Sequence, residues 1–121
     1  MVPLERRRNP RTFFTQDDAL TVVFQTTPSA AASLAFLLSL SRSGIGLVTA
    51  QTHVRTLNIG DRLLLTVEGL GDLIPAKTPA FIRYLGLQEM SGKASIGLEW
   101  AYLPPAVDRA VTAMVLRRNS L

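Results

Sequence analysis

The residues best suited to binding chemistry are four arginines within six positions near the start of the chain: Arg6, Arg7, Arg8 and Arg11. A guanidinium group binds phosphate oxygens through two parallel hydrogen bonds, pairs with the O6/N7 edge of guanine and stacks on bases. Because Pro10 disfavours a helix at Asn9, we expect an extended or turning segment. If it is fully extended, Arg7 and Arg11 point to the same side with roughly 13 Å between their Cα atoms. Such a pair could clamp an anion from both ends.

The positive charge of the protein is concentrated in this segment. The chain has 13 Lys and Arg against 9 Asp and Glu. The first eleven residues hold four of the basic side chains and one of the acidic ones, so the remainder is close to neutral. A local concentration of this kind indicates an anionic partner bound at one place, although by itself it also fits a solvated basic tail.

A second polar segment runs from Ser39 to Gly44. On a strand, Ser39 and Ser41 project from the same face, opposite Leu40, and Gly44 permits a tight turn or the close approach of a ligand to the backbone. Two hydroxyl groups and exposed backbone amides at a strand end could bind a base edge or a phosphate. Taken alone, the segment also fits an ordinary polar outer face that runs into a turn.

The elements that must position these residues are short runs with a period of two, separated by turn residues. Six such runs are predicted as strands: 20–25, 33–41, 45–50, 62–68, 80–85 and 94–100. Their spacing is typical of an antiparallel barrel or sandwich. The alternation predicts which side chains share a face, in three groups: Leu34, Phe36, Leu38 and Leu40; Ala80, Ile82 and Tyr84; and Ala94, Ile96, Leu98 and Trp100, the last group facing inward.

The end of the chain changes period. Apolar residues recur at i, i+3 and i+4 from Val107 to Val115, after Pro104 and Pro105. Proline suits the first turn of a helix, and the Arg117–Arg118 pair suits the negative end of its dipole. We therefore predict an all-β fold with one helix, in which a six-stranded antiparallel β-barrel is closed by a C-terminal amphipathic helix over about residues 104–118.

The composition excludes several kinds of site. Without cysteine there is neither a disulfide nor a thiolate metal site, and His53 is the single histidine. Since the sequence has no nucleophile–base pair, metal set or Walker-type loop, we expect no enzyme, no catalytic residue, no metal and no cofactor. The longest apolar run, Ala30 to Leu40, is about half as long as the roughly 20 residues of a membrane-spanning helix. We expect a cytoplasmic protein without direct membrane insertion.

The order of these segments resembles the PilZ domain. The resemblance rests on four segments: Arg7-x-x-x-Arg11, Ser39-x-Ser41-x-x-Gly44, the turn Leu57–Asp61 and the strand Ser95–Trp100. PilZ domains are six-stranded β-barrels with a C-terminal helix, and they act as receptors for cyclic di-GMP, a bacterial second messenger. The resemblance implies a flexible basic segment over residues 1–12 and a barrel domain over residues 13–121.

The resemblance implies a role for each arginine of the first motif. Arg7 and Arg11 would hold the phosphates and a guanine of cyclic di-GMP. Arg8 lies between them and could add a phosphate contact, and Arg6 could serve similarly. In this arrangement the segment would wrap over the ligand and so become ordered.

The second motif implies the remaining ligand contacts. Ser41 and Gly44 match the family's serine and glycine, which hold the other guanine. Ser39 stands where the family usually has Asp or Asn, and serine is shorter and cannot bind bidentately. The loss of a charge-assisted hydrogen bond costs on the order of 1.5–3 kcal/mol, or roughly ten- to a hundredfold in affinity.

Three functions follow from these observations. The first is a receptor that binds cyclic di-GMP through six residues and passes the signal to an effector protein or domain: Arg7, Arg8, Arg11, Ser39, Ser41 and Gly44. The second is a PilZ-like adaptor that binds a protein and no nucleotide. The third is a small basic β-barrel that binds nucleic acid. We expect no nucleic acid, because the barrel is near neutral and exposed aromatic residues are scarce.

Overall fold

The computed structural model describes residues 9–70, 73–88 and 90–120. In these residues the chain forms seven strands followed by one α-helix. The elements are β1 (Thr12–Phe13), β2 (Thr21–Gln25), β3 (Ser33–Leu40), β4 (Gly44–Ala50), β5 (Arg62–Val67), β6 (Thr78–Gln88), β7 (Lys93–Trp100) and α1 (Pro105–Asn119).

Six of the strands close into a barrel. Every pairing is antiparallel, the order is β3-β2-β5-β6-β7-β4, and β4 pairs back onto β3. This architecture confirms the predicted six-stranded barrel with a C-terminal helix. The additional strand β1 was not predicted, because two residues are too few to show a period. It pairs with the end of β3, where Thr12 lies opposite Leu40 and Phe13 lies opposite Ser39.

The barrel and the helix share one hydrophobic core. The predicted alternation on β7 is confirmed, since Ala94, Ile96, Leu98 and Trp100 are all buried. On α1, Val111 and Val115 are almost completely buried and belong to the same cluster as the inward side chains of the strands. The helix begins with proline at its first turn and ends with two arginines, as its sequence predicts.

The predicted grouping of side chains on β3 is wrong. Leu34, Phe36 and Leu38 do not share a face with Leu40: they are exposed by 49, 52 and 39 %, whereas Leu40 is fully buried. The register shifts between Leu37 and Ser39, so two residues of β3 oppose one residue of β4. An extra residue of this kind moves the following side chains to the other face.

The predicted grouping on β6 is wrong for the same reason. Ala80 and Ile82 are fully buried, but Tyr84 is 57 % exposed. The register of β6 against β7 shifts between Ile82 and Tyr84. A period of two cannot reveal such a bulge, because the residue types on either side of it remain compatible with a continuous strand.

Candidate functional site

The two bulges flank one row of residues on the outer face of the barrel. Ser39 pairs with Gly46, Gly46 pairs with Gly97, and Gly97 pairs with Tyr84. Opposite residues of an antiparallel pair point to the same face of the sheet. The row therefore carries a serine at one end, a tyrosine at the other and two glycines between them.

A groove of about 400 Å³ lies over this part of the sheet. The residues that line it come from the segment before β1, from the β3–β4 turn and from β4, β6 and β7: Arg11, Ser43, Gly44, Ile45, Arg83, Tyr84, Gly97, Leu98 and Glu99. The groove thus brings together Arg11 and Gly44, one residue from each of the two polar segments of the sequence.

Two positions of β4 are glycine because neighbouring atoms leave no room for a Cβ atom. A Cβ atom on Gly44 would overlap the Leu98 carbonyl group of β7, so β4 and β7 could not pair as they do. A Cβ atom on Gly46 would lie 2.6 Å from Ser39 Oγ. Both glycines are buried, so they allow β4 to pack closely against β7 and against Ser39 of β3.

Ser41 organises the turn between β3 and β4. Its Oγ accepts hydrogen bonds from the backbone N–H groups of Ser43 and Gly44, both at 3.2 Å, and lies 2.9 Å from Ser43 Oγ. Trp100 Nε1 donates to the Ser41 carbonyl oxygen at 3.1 Å. Since Ser41 is 1 % exposed, its side chain lies beneath the groove and shapes the turn from within.

Arg42 connects this turn to the helix. Its Nη2 atom donates a hydrogen bond to Asp108 Oδ2 at 2.8 Å, in a partly exposed ion pair. Thr112 Oγ1, one turn along α1, donates to the other carboxylate oxygen of Asp108 at 3.3 Å. The β3–β4 turn and α1 are thus joined by a direct side-chain contact.

The segment that carries Arg11 is attached to the other end of the helix. Asn119 Nδ2 donates to the Arg11 carbonyl oxygen at 3.0 Å. Arg118 donates from Nε to Thr12 Oγ1 at 3.0 Å and from Nη2 to the Phe13 carbonyl oxygen at 3.1 Å. Its guanidinium carbon also lies 4.2 Å from the centre of the Phe14 ring. These contacts fix the backbone on which Arg11 stands.

The groove carries charges of both signs. Arg11 and Arg83 are its cations, and Glu99 is the carboxylate among its lining residues. Arg83 Nη2 lies 3.0 Å from Glu99 Oε1, and both side chains are about half exposed. Ion pairs at this exposure contribute little to stability and exchange readily with other partners.

The structure brings two of the predicted site residues together in the groove. Arg11 and Gly44 line the groove, whereas Ser39 and Ser41 are buried, with 3 and 1 % exposure, and are not among its lining residues. Arg7 and Arg8 lie outside the described residues, as does Arg6.

Sequence reasoning missed seven lining residues: Ser43, Ile45, Arg83, Tyr84, Gly97, Leu98 and Glu99. Part of the signal was present in the sequence. Gly44 and Gly46 alternate along one strand, and Gly97 stands in another, and such glycines in strand interiors mark close backbone approach or a ligand.

Two further observations concern metals and membranes. Among residues 9–70, 73–88 and 90–120, no three His, Asp or Glu side chains are grouped as metal ligands would be. Within the same residues, no helix combines the length and the apolar character that crossing a bilayer requires.

Comparison with solved structures identifies similar folds at low sequence identity. The inhibitor of motility of Bacillus subtilis (MotI/DgrA) aligns over 99 % of this chain with 23 % identity and a TM-score of 0.71. The PilZ domain of YcgR from Escherichia coli, solved with c-di-GMP, aligns over 95 % with 16 % identity and a TM-score of 0.69. The K. pneumonia MrkH–c-di-GMP complex aligns over 92 % with 14 % identity and a TM-score of 0.71.

The three solved chains differ in how much of their own length this chain matches. This chain spans 92 % of the YcgR PilZ domain, but only 57 % of MotI/DgrA and 51 % of MrkH. No protein-family model and no curated protein sequence matches the chain. The resemblance in fold extends over nearly the whole chain, although the sequences have diverged widely.

Proposed function

We propose that this chain, which has the PilZ fold, is a cytoplasmic receptor for cyclic di-GMP and acts as a binding protein, not as an enzyme. The observation that carries the proposal is the meeting of Arg11 and Gly44 in one groove on the outer face of the barrel. These residues belong to two polar segments that are distant in sequence. A site assembled from both suits a ligand that offers phosphates and bases together.

The chemistry of the groove suits such a ligand. The Arg11 guanidinium would bind a phosphate through charge-assisted hydrogen bonds. Arg7 and Arg8, which precede it, would supply further phosphate contacts. A base would lie against the β3–β4 turn, because Ser43 and Gly44 of this turn line the groove.

The contacts of α1 suggest how ligand binding is communicated to an effector protein or domain. Arg42 links the β3–β4 turn to Asp108, and Asn119 links the Arg11 backbone to the end of the helix. A ligand that draws these two segments toward each other acts on both ends of α1. It would therefore shift the population of helix positions in favour of one that an effector protein or domain recognises.

The similar solved structures support cyclic di-GMP as the ligand. Two of the similar folds, the YcgR PilZ domain and MrkH, are c-di-GMP complexes. MrkH and MotI/DgrA are also longer than the part that this chain matches. An effector site in a further domain or in a separate protein is compatible with both facts.

Calorimetric titration of the purified protein with cyclic di-GMP tests the proposal. We expect saturable binding at moderate salt that weakens at least roughly tenfold in Arg11→Ala, since a charge-assisted contact is lost. Arg55→Ala removes an exposed arginine outside the groove lining and serves as the matched control. Absence of heat and of thermal stabilisation at about 100 µM ligand would refute the proposal.

One observation favours the adaptor as a second candidate. Both serines of the second motif are buried, Ser39 with 3 % and Ser41 with 1 % exposure. If neither hydroxyl group reaches a ligand, nucleotide affinity could have been lost while the fold was kept. Ser39→Asp separates the two candidates, because binding that is undetectable in the natural sequence and strong in the variant favours the adaptor.

A further inference from the structure

We infer that Tyr84 and Glu99 recognise the base of the ligand and make the groove selective for guanine over adenine. The inference rests on the proposed function, because it assigns roles within the same groove. Tyr84 supplies a stacking surface for the base, and Glu99 accepts hydrogen bonds from its edge. Neither residue belongs to the two motifs of the sequence.

Tyr84 lies across two glycines. A Cβ atom on Gly97 would lie 3.2 Å from Tyr84 Cβ, and a Cβ atom on Gly86 would overlap the Tyr84 hydroxyl group. The side chain thus extends over the backbone of β6 and β7, which holds it in place, while 57 % of it remains exposed. A held aromatic ring with an open face is a stacking surface that loses little freedom when a base binds.

The β6 bulge is what gives Tyr84 this position. Without the shift between Ile82 and Tyr84, the ring would point into the core beside Ile82. A bulge interrupts the ladder of hydrogen bonds, and bulges recur next to binding sites because they redirect a side chain. Core packing therefore does not account for the presence of tyrosine here.

Glu99 stands directly beside the motif glycine. Gly44 and Glu99 are cross-strand partners on β4 and β7, and both line the groove. Glu99 and Gly97 are two residues apart on the same strand and face, which places Glu99 diagonally from Tyr84. Tyr84 and Glu99 both line the groove, so a base bound in it can contact both the ring and, at its edge, the carboxylate.

The chemistry of the carboxylate selects the base. An ionised glutamate only accepts hydrogen bonds. Guanine offers two donors on one edge, N1–H and the N2 amino group, and a carboxylate can accept from both. Adenine has an acceptor at N1 and no amino group at C2, so the same carboxylate would face a lone pair and lose its partner.

Arg83 leaves Glu99 available for this role. Its ion pair with Glu99 is 3.0 Å long and half exposed, so a base that offers two donors can replace it at little cost. The Arg83 guanidinium would then remain close to the bound ligand as a second cation of the groove.

The test compares cyclic di-GMP with cyclic di-AMP by calorimetry on the full chain. For Glu99→Gln we expect affinity for cyclic di-GMP to fall roughly tenfold or more, while affinity for cyclic di-AMP stays the same or rises. Glu68→Gln makes the same chemical change outside the groove and should bind as the natural sequence does. For Tyr84→Leu we expect a roughly tenfold loss for both nucleotides, and for Tyr84→Phe little change.

The binding measurements distinguish the role of Glu99, the role of Tyr84 and the proposed function from one another. If Glu99→Gln binds cyclic di-GMP as well as the natural sequence does, or loses both nucleotides equally, the guanine-reading role of Glu99 is refuted and the proposed function stands. Unchanged affinity in Tyr84→Leu refutes the stacking role. If the natural sequence binds neither nucleotide, the proposed function itself fails, and the inference fails with it.

Discussion

Arg118 of the C-terminal helix donates a hydrogen bond from Nε to Thr12 Oγ1 at 3.0 Å, and Thr12 is the residue that follows Arg11. The same side chain donates to the Phe13 carbonyl oxygen and lies over the Phe14 ring. One arginine at the end of α1 therefore holds three consecutive residues of the segment that leads into the groove. The position of Arg11 depends on the helix.

Replacement of Arg118 tests this dependence. In Arg118→Gln we expect the free energy of unfolding to fall by about 1–3 kcal/mol, because the buried Thr12 hydroxyl loses its donor. We also expect cyclic di-GMP to bind more weakly, since the backbone beside Arg11 is released. Urea unfolding and calorimetry measure the two effects. Arg117→Gln, at the exposed neighbouring position, is the control, and equal behaviour of the two variants would contradict the prediction.

The two glycines of β4 should differ in their tolerance of a methyl group. In Gly44→Ala the new Cβ meets the backbone carbonyl group of Leu98, which cannot move without separating β4 from β7. In Gly46→Ala it meets Ser39 Oγ, which can rotate away. We expect Gly44→Ala to lower the free energy of unfolding by about 1–3 kcal/mol and Gly46→Ala by less. Urea unfolding midpoints measure which variant loses more stability. A larger loss in Gly46→Ala than in Gly44→Ala would contradict the close approach of the β4 and β7 backbones at Gly44.

The Ser41 hydroxyl group should contribute to stability and, through the turn, to binding. In Ser41→Ala the buried N–H of Gly44 loses its acceptor, which we expect to cost about 1–3 kcal/mol. The turn that contributes Ser43 and Gly44 to the groove should loosen, so affinity for cyclic di-GMP should also fall. Ser29→Ala, in an exposed loop, is the control for stability. A Ser41→Ala protein as stable as that control would disprove the organising role.

The Arg42–Asp108 ion pair should transmit the signal without setting the affinity. Because the pair is partly exposed, Arg42→Gln should change the free energy of unfolding by less than about 1 kcal/mol and leave ligand binding nearly unchanged. The amide signals of α1, however, should respond less to cyclic di-GMP in the variant than in the natural sequence. An undiminished response of α1 in Arg42→Gln would mean that the signal takes another route.

The sequence was sufficient to predict the fold, because the alternation on β7 and the helical period after Pro105 report which side chains are buried. The sequence was insufficient to predict which side chains lie on the outer face of the barrel. On β3, apolar residues occupy both faces, and on β6 a tyrosine suits either face, so neither pattern reveals a bulge. The bulges depend on the register against β4 and β7, which is set by contacts between residues distant in sequence.

For the candidate site too, the sequence was sufficient to predict some residues and insufficient for others. The types and spacing of Arg11 and Gly44 predicted them as binding residues, and both line the groove. Tyr84 and Glu99 carry no local signal, because an exposed tyrosine or glutamate on a strand is ordinary by itself. The role proposed for them rests on their positions beside Gly97 and Gly44, which only the pairing of strands reveals.

The location of the ligand is the central claim, and the most direct test is a titration of the ¹⁵N-labelled protein with cyclic di-GMP, followed through its backbone amide signals. We predict that the largest shifts occur at Gly44, Gly46 and Gly97 and at the residues next to Arg11, with smaller shifts along α1. A binding site in this groove would be contradicted if these glycines did not respond while the largest shifts lay elsewhere, for example around Gln51 and Leu87 on another part of the barrel.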